Sequence, residues 1–322
     1  MSKIALVIPV YNVEHYLREC LDSVLNQTFT DWEAVCVNDG STDGSAAILE
    51  EYAAKDGRFK TITQANGGLS AARNAGMEAA QGDYVLFLDS DDWLEKNALE
   101  ILMENLDGED MLCFSGRRFM EKTGDFCPAD QLNEKTYPTG MAYYNENALQ
   151  RRDFAFVCVV LRAYKRTFLI ENGLRFKEGI FHEDNLFTPI ACYHAGRVRQ
   201  INRCLYDYRV RANSIMTTTD AKHLSDMIGI ANALAAFFVT KSGFDKTVVY
   251  RSITHHYQVV FLNLAKMEGN GIRCLCDWEL YKTVSRTKIR HRLRYIKNKT
   301  LYRDTNERKD HCHQQHSIHL YG

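Results

Sequence analysis

Apolar and polar positions alternate between two arrangements along the first part of the chain. Residues 3 to 10, KIALVIPV, form a continuous apolar run capped by Pro9, as expected of a strand covered on both faces. Leu17, Cys20, Leu21, Val24 and Leu25 then recur at helical spacing, with Asn12 placed as the N-cap. The unit repeats. EAVCVND predicts a strand, STDGSAAILEEYAAK a helix with Ile48, Leu49 and Tyr52 on one face, FKTIT a short strand, GLSAARNAGMEAAQG a helix, and YVLFLD a fourth strand bounded by Gly82 and an acidic run. Four strands separated by helices predict an α/β fold built on a parallel sheet with helices on both faces, and such sheets bind ligands beyond the carboxyl ends of their strands. Beyond Asp220 the pattern becomes helical, in HLSDMIGIANALAAFF and VVYRSITHHYQVVFLNLAKM, which divides the chain at residues 1–218 and 219–322.

The polar residues with chemical potential sit at those strand ends. Tyr11 and Asn12 follow the first strand, Asp39 the second, Asn66 to Gly68 the third, and Asp89 and Asp91 the fourth. Alone, NDGSTDGS reads as a turn and NGG as a loop; four segments converging on one sheet edge read as a site. Asp89, Asp91 and Asp92 fall within four residues, and like charges this close raise one another's pKa, so a positive partner is expected. A divalent cation suits the cluster, because Mg2+ or Mn2+ takes oxygen ligands, many of them from phosphate and water.

Composition refines the setting. The chain has 322 residues, 45% hydrophobic and 25% charged, the profile of a folded protein. It has no apolar run of the roughly 18 residues that span a membrane and no secretory signal pattern at its start, so a cytoplasmic location is expected. The ten cysteines include no CxxC pair and are expected to be free thiols. The net charge of −1 hides nine Lys or Arg and no Asp or Glu between Tyr281 and Arg303. There Ile289, Leu293 and Ile296 share one helical face, which predicts a segment lying on an anionic membrane surface; nothing accompanies the charge that would point to nucleic acid. The His-rich end, DHCHQQHSIHLYG, fits no standard zinc spacing.

PVYN, VNDGSTDGS, NGGLSAARNAG and FLDSDDW together resemble the successive signatures of family 2 glycosyltransferases, and the resemblance covers residues 3 to 215. It continues at FHEDNLF and LYDYRVRANSIM, whereas residues 107 to 150 match no signature. The resemblance implies a GT-A fold, a Rossmann-like, mostly parallel sheet with a nucleotide-binding half (1–106) and an acceptor-side half (107–218). It implies a nucleotide-sugar donor, a UDP-sugar first, held by Pro9, Tyr11, Asn12, Glu14, Asp39, Asn66, Gly68, Arg73, Asp89, Ser90 and Arg211. Within that set Tyr11 would pack on the base, Asp39 accept from a base N–H, and Glu14 or Asp89 accept from ribose hydroxyls. Asp91 would hold Mn2+ or Mg2+, and Asp184 would be the base that deprotonates a glycan or lipid-linked acceptor, with inversion at the anomeric carbon. Arg209 and Arg211 would meet the diphosphate as the loop around Ser214 closes, one of the two being an ordinary surface charge. Asp92 would share the metal or cap a helix through WLEKNALEIL, and His182 would touch acceptor or metal or make a simple polar contact. Two other classes stay open: a sugar-nucleotide-binding protein without turnover, and an aspartate-nucleophile phosphatase. The phosphatase reading meets Trp93 where Thr or Val is usual, and leaves NDGSTDGS unexplained.

Overall fold

In the computed structural model, residues 4–150, 156–211, 220–264 and 276–285 are described. The first part alternates strand and helix as the apolar pattern predicts: β1 (Ile4–Val10), α1 (Glu14–Leu25), β2 (Trp32–Asn38), α2 (Ser45–Lys55), β3 (Phe59–Thr63), α3 (Leu69–Ala79) and β4 (Tyr84–Phe87). Every residue of β1 and β2 is buried, because helices cover both faces of these central strands. Strands β3, β2, β1 and β4 lie side by side and parallel. Helix α3 crosses close over this sheet at Gly76, where a Cβ would come within 2.3 Å of Val7 Cγ1.

The second part extends the sheet. It comprises β5 (Trp93–Leu94), α4 (Ala98–Asn105), β6 (Met111–Met120), β7 (Asp125–Phe126), β8 (Lys135–Tyr137), α5 (Gly140–Gln150), a 3-10 turn (Val159–Leu161), β9 (Arg162–Lys165), α6 (Arg166–Glu171), α7 (Asp184–His194) and β10 (Val198–Val210). The main order is β3-β2-β1-β4-β9-β6-β10-β5, with β7 on β6 and β8 on β10. Here β6 and β10 run parallel, whereas β9 is antiparallel to both β4 and β6. This is a mixed α/β sheet flanked by helices, joined at β4–β9.

The contacts divide the chain into two units, Met1–Thr218 and Thr219–Gly322. In the second, α8 (Ala221–Val239), α9 (Lys246–Leu264) and α10 (Trp278–Ser285) pack on one another. Leu224, Ile228, Ala231 and Leu234 of α8 are buried, as are Val249, Ile253 and Tyr257 of α9, so the two apolar stripes have found each other. Tyr281 and Val284 of α10 are also fully buried, and the Tyr281 ring meets Tyr257 edge-on at 5.0 Å. The basic segment expected from Tyr281 onward therefore begins inside a packed helix, and its remainder, with Ile289, Leu293 and Ile296, lies outside the described residues. No helix among the described residues is long and apolar enough to cross a membrane. All eight described cysteines are free, as expected, and Cys20, Cys36, Cys113, Cys158 and Cys192 are buried.

Candidate active site

Strand order reverses at β1, which has β2 on one side and β4 on the other, and the crevice beyond their carboxyl ends is where such a sheet binds ligands. Pro9 is buried near the end of β1, paired with Val37. Tyr11 follows with 48% of its surface exposed, an unencumbered ring at the crevice. Asn12 does not cap α1. Its backbone takes φ 52°, and its Oδ1 accepts from the Thr42 N–H at 2.8 Å, so the side chain ties the β1 turn to the β2 turn and leaves no side-chain cap on the helix that begins at Glu14. Glu14 adds a second tie in the same sense: its Oε2 accepts from the Gly44 N–H at 2.6 Å, at the start of α2.

Asp39 is buried at the end of β2. One oxygen accepts from Gln64 Nε2 at 2.7 Å and the Gly67 N–H at 2.9 Å, and the other from the Gly68 N–H at 2.8 Å. A carboxylate has about four acceptor positions, so roughly one remains for a ligand. The adjoining Gly40, at φ 73°, lets the Asn66 backbone come close enough that a Cβ would sit 2.9 Å from its nitrogen. Asp39 and Asn66–Gly68 are thus one structure, as their positions in sequence suggest.

The three carboxylates after β4 have three different environments. Asp89 accepts from Arg73 Nη2 at 2.7 Å. Asp91 accepts from Arg211 Nε at 2.8 Å, with both side chains about one quarter exposed. Asp92 is neither a helix cap nor an open ligand: it is buried, accepting from the Tyr206 hydroxyl at 2.6 Å and the Arg209 N–H at 2.8 Å. WLEKNALEIL does not start a helix at once, because Trp93 and Leu94 form β5 against β10 and α4 begins at Ala98. Burial, then the charge of Asp89, raises the Asp91 carboxyl above its ordinary range, opposed by Arg211. Burial and the charges of Asp91 and Asp89 raise Asp92 further. The crowding that the sequence shows is therefore real, and it is relieved by arginines and a tyrosine. Ser90 is buried between them.

Arg209 is not a surface charge. It is 7% exposed, with Nε on the Asp91 carbonyl at 3.0 Å and Nη2 2.5 Å from Glu19, and it stacks over Trp93 at 4.7 Å. Of the two arginines, Arg211 is the one at the carboxylate cluster with an accessible side chain, while residues 212–219, including Ser214, lie outside the described residues.

In the second part of the sheet, α7 opens with Asp184, whose Oδ2 lies 3.4 Å from the Val159 nitrogen. Glu183 precedes it, and its carboxyl is pushed up to about 7 by burial, then by the charge of Asp184, with Arg73 opposing. Arg73 is buried and spans the two clusters, with Nη1 2.5 Å from Glu183 and Nη2 on Asp89. It is a link inside the protein rather than an open donor-binding group. Asn74 adds a second tie, exchanging two 2.9 Å hydrogen bonds with the Phe176 backbone. His182 takes φ 62°, a strained conformation for a non-glycine residue, directly before this pair. Sequence reasoning missed Tyr206, which also accepts from the Asp89 N–H at 3.2 Å; a tyrosine in an alternating strand carries no local sign of such a role.

A parallel sheet with its polar groups at the β1–β4 switch point, extended by a mixed half carrying a second acidic pair, defines a GT-A glycosyltransferase. The chain belongs to glycosyl transferase family 2, whose sequence model matches residues 5–173. Glycosyltransferase GlyA of Streptococcus pneumoniae is 36% identical over 87% of this chain, which spans 40% of GlyA's length. The putative glycosyltransferase EpsH of Bacillus subtilis is 33% identical over 83% of this chain and 78% of its own. Among solved structures, S. aureus TarS 1–349 in complex with UDP superposes with a TM-score of 0.70 at 22% identity, covering 95% of this chain and 92% of that one.

Proposed function

We propose that this glycosyltransferase moves a sugar from a UDP-sugar to a hydroxyl of a glycan or lipid-linked acceptor, with inversion, in the assembly of a cell-surface polysaccharide. The observation that carries the reading is Arg73, which holds Asp89, at the end of β4, to Glu183, the neighbour of Asp184. One buried side chain thereby fixes the donor-side acids relative to an accessible carboxylate across the crevice. The UDP bound to TarS supports the choice of nucleotide.

In this reading Tyr11 stacks on the base and the remaining acceptor position of Asp39 takes a base N–H. Asp89 accepts from a ribose hydroxyl while Arg73 keeps it oriented. Arg211 turns from Asp91 to the diphosphate when the donor binds. A divalent cation fits at Asp91. Asp92 is used by Tyr206 and Arg209, Asp89 by Arg73, and no cluster of three metal-ligating side chains exists among the described residues, so the ion would take most of its oxygens from phosphate and water. When bound, it supplies Lewis-acid stabilisation of the departing diphosphate. Asp184 takes the acceptor proton as the hydroxyl oxygen attacks the anomeric carbon, and its own orientation is set by the Val159 N–H and the first turn of α7.

The test is a panel of sugar nucleotides with Mn2+ or Mg2+, scored for transfer or hydrolysis, with the product anomer read by NMR. Asp184→Asn is expected to lower turnover by roughly 100- to 10000-fold, the range of general-base catalysis, and to leave UDP affinity nearly unchanged. Retained configuration would remove Asp184 from the role of base. UDP-sugar binding without turnover under every condition would instead favour a binding protein.

A further inference from the structure

Strand β6 belongs to the stretch that matches no sequence signature, yet it lines a cavity of about 200 Å³ with Gly116, Arg118, Cys158, Leu161, Tyr206 and Tyr208 among its walls. In the parallel β6–β10 pair Gly116 stands opposite Tyr206 and Arg118 opposite Tyr208, so alternate residues of two neighbouring strands build one wall. Gly116 keeps the space narrow but open: a Cβ there would sit 2.9 Å from both Leu161 Cδ2 and the Tyr206 carbonyl oxygen. The cavity adjoins the active site through two groups. Tyr206 holds Asp92 and contacts the Asp89 backbone, and Cys158 precedes Val159, which contacts Asp184. It is walled by β6, β10 and the 3-10 turn rather than by β1, β2 and β3, whose ends form the nucleotide crevice.

The charge at this cavity is unbalanced in one place. Arg117 borders it but is spent on Asp207 at 2.6 Å and Glu95 at 2.5 Å. Asp130, also on the rim, has an interaction of its own. Arg118 is exposed, and among the described residues its guanidinium has no ion-pair or hydrogen-bond partner. A guanidinium offers a planar fork of donors that matches phosphate and carboxylate. The volume is below the roughly 300–1000 Å³ of sites for drug-sized ligands, so it suits one small polar unit rather than an oligosaccharide.

We infer that this cavity is the acceptor subsite and that Arg118 selects an acceptor unit bearing a phosphate or a carboxylate, held so that its reacting hydroxyl faces Asp184. The inference rests on the transfer reaction proposed above. Titration calorimetry of the full chain with UDP and Mn2+ present, at constant ionic strength, tests it with two anionic probes, glycerol 3-phosphate and glucuronate, and their neutral counterparts, glycerol and glucose. At least one anionic probe is expected to bind tenfold or more tightly than its counterpart, and which one does so identifies the anion. Arg118→Ala is expected to erase that margin without changing UDP affinity; the side chain is exposed, and circular dichroism verifies the fold. No anionic advantage, an advantage that survives in Arg118→Ala, or displacement of UDP by the probe would each overturn the inference. Failure of the unmodified chain to bind UDP would overturn the proposed reaction itself, and is read in the same titration.

Discussion

Arg73 donates to Glu183 at 2.5 Å and to Asp89 at 2.7 Å, so a single buried guanidinium joins the end of β4 to the residue beside Asp184. Burial alone would weaken its charge, but the carboxylates of Asp89, Glu183 and Asp184 raise its pKa instead. The Phe176 ring lies under it at 5.4 Å and is itself stacked on Phe187 at 4.2 Å.

Arg73→Met is therefore expected to cost on the order of 3–5 kcal/mol, the usual effect of removing one partner from a buried ion pair, and to abolish transfer even at temperatures where the fold survives. Chemical denaturation measures the first effect, and assays well below the new midpoint measure the second. Wild-type turnover in a folded variant would show that the link is dispensable for geometry.

Glu183 gives the protein a pH dependence of a definite sign. Its ordinary pKa is 4.5 and its folded value about 7, so between these limits the folded state holds a proton that the unfolded chain has lost. That contribution is fully present below about 4.5 and is lost as pH rises through 7. Glu183→Gln is expected to flatten the fall in melting temperature over this window. An unchanged slope in the variant would assign the dependence to another group.

Asp91→Ala should leave the fold intact, since it removes one member of a repelling cluster and frees only a partly exposed arginine. The variant is expected to keep a thermal shift with UDP alone and to lose the additional shift on adding Mn2+. A full metal-dependent shift in Asp91→Ala would place the cation elsewhere.

The C-terminal segment calls for two truncations. Cutting after Glu279 deletes Tyr281 and Val284, both fully buried, and is expected to destabilise the helical unit by several kcal/mol, as core truncations do. Cutting after Ser285 spares them. If residues 286–303 dock on anionic lipid, both truncations should abolish low-salt flotation with anionic liposomes, and the second should do so while keeping the buried Tyr281 and Val284 in place. Equal flotation of intact and truncated chains would make the segment an ordinary basic stretch.

Sequence by itself determined the strand–helix alternation, because burial on both faces of β1 and β2 requires unbroken apolar runs and the amphipathic helices need a 3.6-residue period. It also determined that Tyr11, Asp39, Asn66–Gly68 and the Asp89–Asp92 run would meet, since parallel strands place all their carboxyl ends on one edge. Tertiary structure decided which member of each group is open and which is spent. Asp92 is satisfied by Tyr206 and Arg209 from a strand more than a hundred residues away, and Arg73 by Glu183 at a comparable separation. Asn12 turned from an expected helix cap into a bridge between two turns for the same reason: the Thr42 N–H it bonds is brought by another loop. The cavity beside Arg118 is set by the β6–β10 register and by Leu161 lying over Gly116. Local sequence encodes propensity and periodicity over a few residues; the partner that neutralises a buried charge comes from wherever the fold brings it, and no spacing rule records that.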